Sequence, residues 1–182
     1  MWILCGMTLT GDPAPYAARV SALARVRFWL VVFVVGLVLS GVTAFPLEWE
    51  SGVLARVLHA VPWSPEPLVA WIDRVHAGLV AAPDFLAYGT DWLAFAHLVI
   101  AVAFWGPLRD PVRNVWVVQF GMIACAAIIP LALIAGPVRG IPWWWLLIDM
   151  SFGVVGVIPL IFAHRAIREL AKRPTDTLAA VA

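Results

Sequence analysis

The chain has 182 residues, 63% of them hydrophobic and 13% charged, against about 45–50% apolar and about 25% charged for an average soluble domain. A chain this short cannot hide that surplus in one core, because a small domain leaves much of its surface open. An ordinary soluble domain, a disordered chain and a disulfide-stapled secreted module are therefore excluded, and twelve basic against eleven acidic residues offer nucleic acid no electrostatic footprint.

In chain order, residues 1–27 read as a cytoplasmic N-terminal arm. Its apolar opening, 1–9, is too short to span and lacks a preceding basic region, and 11–15 interrupts any helix. Residues 28–47 form the first transmembrane helix, TM1, long enough for a hydrocarbon core of about 30 Å. Residues 48–91 form an external cap. Within it, Val53, Leu54, Val57, Leu58 and Val61 recur at helical spacing, and a second short helix follows with Leu68, Val69, Ile72, Val75 and Leu79 on one stripe. Ser64 stands where it would cap that second helix, with Pro65 at its first position. TM2 covers 92–108, a cytoplasmic turn 109–114, TM3 115–136, an external turn 137–142 and TM4 143–163; residues 164–182 are a cytoplasmic tail. Backbone groups at membrane depth must be satisfied within each segment, so the spans are helices. The fold class is all-α: a four-helix transmembrane bundle with two short amphipathic helices in the external loop between helices 1 and 2.

Charge orients the bundle. Nine basic residues (Arg19, Arg25, Arg27, Arg109, Arg113, Arg165, Arg168, Lys172 and Arg173) fall on one side, against Arg56, Arg74 and Arg139 on the other. The positive-inside rule puts both termini in the cytoplasm. Trp29, Trp105 and Trp116 mark one edge, and Trp49, Trp92 and Trp143 to Trp145 the other, as an aromatic belt does.

Three polar residues fall at similar depth. His97 and Asp149 lie about 9 Å inside the outer ends of their spans, and Thr43 somewhat shallower. All three sit on stripes of small residues, which let membrane helices approach. A charged Asp149 in hydrocarbon needs a partner or a proton. A His97–Asp149 pair is read first as an interhelical hydrogen bond, then as a proton or ligand site, and last as a metal or haem site. A single axial histidine could hold a haem or a pigment; bis-histidine ligation lacks a second histidine at depth. Arg109 and Arg113 read as headgroup anchors. Trp143, Trp144 and Trp145, with Arg139, exceed what anchoring needs and read as a contact for lipid, pigment or a neighbouring subunit. No catalytic motif and no metal-ligand spacing is present in the sequence.

Residues 91–97, 109–114, 139–142 and 148–153 resemble stretches of uncharacterised bacterial multi-pass membrane proteins of four helices. The resemblance covers about the second half of the chain. It implies a bacterial cytoplasmic-membrane setting and no particular activity.

Together these features lead to the expectation of a non-catalytic accessory subunit of a larger bacterial inner-membrane complex, respiratory or photosynthetic, surrounded by lipid and other membrane subunits. The alternatives are a small redox or proton-linked membrane enzyme binding quinone or haem near His97 and Asp149, or a small transporter.

Overall fold

A computed structural model describes residues 13–82 and 84–172, and the described residues contain helices and no strand. Trp2, Cys5, Arg173 and most of the expected tail lie outside the described residues. Seven helices follow one another: α1 (Pro13–Thr43), α2 (Leu47–Ala60), α3 (Glu66–Val80), α4 (Asp84–Ala103), α5 (Trp105–Arg109), α6 (Val115–Val138) and α7 (Trp143–Lys172). Four stretches are long and apolar enough to cross a membrane: Ala17–Thr43, Asp84–Arg109, Val115–Val138 and Trp143–Lys172.

The helices outrun the apolar runs. α1 begins at Pro13, well before residue 28. Pro13 and Pro15 fall in its first turn, where no backbone donor is required, and the Ala-rich stretch behind them favours helix. α4 begins at Asp84 rather than Trp92, with an aspartate in its first turn to complement the helix dipole. α7 runs on to Lys172. The break between α4 and α5 has a local cause: Pro107 has no N–H to offer the Ala103 carbonyl, and its ring crowds that oxygen.

The chain divides into two compact units. One comprises residues up to Val31 together with Gly106 onward. Ala22, Val26 and Leu30 are fully buried at four-residue spacing along the first half of α1. Within the same unit Trp29 stacks on Phe162 with centroids 4.7 Å apart, and Arg25 pairs with Glu169 at 2.9 Å. Leu160, Ala163, Ile167 and Leu170 form the buried stripe of α7. α6 and α7 pack closely: a Cβ added at Gly153 would stand 2.5 Å from the Cys125 carbonyl oxygen. The turn between them is closed by Gly140 at φ +67°. There Ile141 N–H donates to the Gly136 carbonyl at 3.0 Å and Gly140 N–H to the Pro137 carbonyl at 3.1 Å, a pairing that satisfies the last carbonyls of α6 and favours glycine at the left-handed position.

The other unit, Val32–Trp105, holds the second half of α1 with α2, α3 and α4. α2 and α3 pair as a helical hairpin. The side of α2 that becomes buried is Ser51, Gly52 and Ala55, whereas Leu54 and Val57 face outward. On α3, Trp71 and Ile72 are buried. Ser64 does not cap α3. Pro65 is extended at ψ 125°, so the helix starts one residue later and no side chain caps it. The Ser64 hydroxyl is buried with no hydrogen-bond partner among the described residues, and the Pro65 carbonyl accepts from Leu68 and Val69 N–H instead.

Candidate functional site

A cavity of about 790 Å³ belongs to the unit formed by Val32–Trp105. Helical spacing assembles its walls. Glu48, Gly52 and Arg56 recur every four residues along one face of α2, and Ala87, Thr90 and Asp91 share one face of α4. α3 contributes His76 and Leu79, while Phe45 and Pro46 close the cavity from the turn that follows α1.

His76 is held in a defined orientation. The Ser51 hydroxyl donates its single proton to the Glu48 carbonyl at 2.7 Å. It can therefore only accept from His76 Nδ1, 3.0 Å away. In the neutral ring Nε2 then carries the lone pair. The imidazole lies over Gly52, where a Cβ would stand 2.9 Å from His76 Cε1. At the other end of the hairpin His59 Nε2 lies 3.0 Å from Asp73 Oδ2. Among the described residues Glu48, Arg56 and Asp91 make no ion pair within 4.0 Å. The cavity thus presents two carboxylates, a guanidinium, an imidazole and a hydroxyl beside apolar walls.

A smaller cavity of about 290 Å³ belongs to the other unit and is lined by both Arg139 and Asp149 among apolar residues. Arg139 is placed there by the α6 terminus, where it is the C-cap. Asp149 lies in the second turn of α7.

His97 is half-buried in α4, and its Nδ1–H donates to the Leu93 carbonyl at 2.8 Å. Its Cβ is 3.0 Å from the Cβ position of Gly41, the buried glycine of this part of α1. Thr43, two residues further on, is turned about 200° from Gly41 and faces outward. Its hydroxyl bonds back to the Leu39 carbonyl at 2.9 Å. Thr43 therefore does not converge on His97. His97 and Asp149 belong to different units.

Trp143 faces outward, and Trp144 and Trp145 are half-buried and meet edge to face at 5.9 Å. Arg109 and Arg113 face outward from a tightly bonded turn. Asp110 Oδ1 accepts the Arg113 N–H at 3.1 Å. Asn114 Nδ2 donates to the Asp110 carbonyl at 2.9 Å and the Gly106 carbonyl at 3.2 Å. Arg27 Nε donates to the Leu108 carbonyl at 3.3 Å.

The group formed by Glu48, Arg56, His76 and Asp91 was not evident from the sequence, where these residues fall within the 48–91 segment read as an external cap. The available signal was the four-residue recurrence of Glu48, Gly52 and Arg56. Comparison with protein-family models, curated proteins and solved structures returns no match for this chain.

Proposed function

We propose that this chain is a non-catalytic accessory subunit of a larger bacterial inner-membrane complex, with respiratory and photosynthetic assemblies the first to test. The supporting observation is how few residues of each span are buried. Of the most apolar window of each span, 17%, 11%, 22% and 28% is buried, in chain order. Transmembrane helices associate by packing and interhelical hydrogen bonds, and a self-contained transporter or enzyme must enclose its pathway or site within such packing. Here only 17% and 11% of that window is buried in the first two spans, which suits helices that also pack on other subunits and on lipid. In this reading α2 and α3 form an amphipathic cap on the outer side of the membrane.

Mild-detergent purification of the tagged full chain, followed by mass spectrometry, tests the proposal. Stoichiometric membrane-protein partners are expected; a lone monomer at every detergent concentration would overturn it. An absorption scan of the same sample addresses the second reading, a small redox or proton-linked enzyme. That reading rests on His97, whose Nδ1 bond to the Leu93 carbonyl leaves Nε2 as the ring atom able to ligate a haem or pigment.

A further inference from the structure

We propose that the 790 Å³ cavity of the α2–α3–α4 unit binds the headgroup of an aminophospholipid, a phosphate joined to a primary ammonium. This goes beyond the accessory-subunit reading and does not depend on it.

Three observations carry the assignment. The first is position. The cavity is walled by Phe45 and Pro46, immediately after the span ending at Thr43, and by Leu86, Ala87, Thr90 and Asp91, in the opening turns of the span that begins at Asp84. Both places stand at the ends of helices long and apolar enough to cross a membrane, which is where a span meets the headgroups. Asp91 stands seven positions after Asp84, about 10 Å along the helix, ahead of the uninterrupted apolar run.

The second is the division of the walls. Phe45, Leu79 and Leu86 supply apolar surface and Glu48, Arg56 and Asp91 supply charge, as an amphipathic ligand requires. The volume falls within the range of about 300–1,000 Å³ usual for ligand cavities.

The third is charge. Glu48 and Asp91 set two carboxylates against the one guanidinium of Arg56 in the lining, which disfavours a net anionic headgroup. An aminophospholipid matches both signs: Arg56 meets the phosphate, for which a guanidinium has the right fork of donors, and Glu48 and Asp91 accept from the ammonium. Among the described residues none of the three is already engaged in an ion pair. A quaternary ammonium has no N–H to give these carboxylates, so phosphatidylcholine makes the weaker ligand.

The experiment is native mass spectrometry of the full chain in lipid-free detergent. It is titrated with short-chain phosphatidylethanolamine, phosphatidylglycerol and phosphatidylcholine, and separately with soluble glycerophosphoethanolamine. Phosphatidylethanolamine is expected to bind about tenfold tighter than either other lipid, the ratio that charge-assisted hydrogen bonds supply. The soluble headgroup is expected to bind more weakly than the lipid. Glu48→Gln combined with Asp91→Asn, which keeps side-chain size, should bring phosphatidylethanolamine down to the level of phosphatidylcholine. Glu48→Gln with Asp91→Lys should reverse the preference toward phosphatidylglycerol, a gain that a misfolded variant cannot produce. Equal binding of the three lipids by the unmodified chain, or an unchanged preference in the neutralised variant, would overturn the proposal. Soluble headgroup binding as tight as the lipid would overturn its assignment to a membrane ligand.

Discussion

Gly36 and Gly153 stand on the small-residue stripes of their helices, yet their surroundings differ completely. A methyl at Gly36 meets nothing within 4 Å, whereas one at Gly153 would press on the Cys125 carbonyl oxygen, a backbone atom that cannot swing aside. Gly153→Ala should therefore destabilise the fold by about 1–3 kcal/mol, the usual cost of overpacking. Gly36→Ala should stay within about 0.5 kcal/mol of the parent. Reversible denaturation in mixed detergent micelles reads both, and equal effects would refute the assigned contact. The same contrast limits what stripes reveal. Small residues at spacings of three and four mark surfaces that allow close approach, but only the neighbouring backbone shows which glycine meets it. On α1 that glycine is Gly41, and its phase turns Thr43 away from His97.

At the scale of elements, the α2–α3 hairpin depends more on shape than on its His59–Asp73 contact. The His59 and Asp73 side chains remain 60% and 45% exposed, so Asp73→Ala should cost no more than about 1 kcal/mol. Gly52→Val should cost more, about 1–3 kcal/mol, because the His76 ring fills the space a side chain would need. Limited proteolysis in the connection at residues 61–65 provides the readout: faster cleavage in Gly52→Val than in Asp73→Ala. The apolar periodicity of this region marked Ile72 of α3, which is buried, but pointed to Leu54 and Val57 of α2, which are not. Helical periodicity reports where apolar residues gather. It does not report which face a partner carrying the His76 ring leaves room for, and here the small face of Ser51, Gly52 and Ala55 is the one buried.

At the scale of the whole molecule, charge asymmetry predicts the topology directly. Reporter fusions at residue 172 and in the 109–114 turn should be cytoplasmic, and one in the 61–65 connection external; a cytoplasmic signal from 61–65 would reverse the orientation. The four spans were legible from residue order alone, because lipid offers no hydrogen bonds to the backbone and a run of about 20 apolar residues has only the helix available. Cooperative helix extension through good formers carried α1, α4 and α7 beyond those runs, so their limits were not legible. The convergence of Glu48, Arg56, His76 and Asp91 on one cavity was decided only by the tertiary structure. Residues far apart in sequence meet according to the rotational phase and packing of their helices, and hydropathy carries neither.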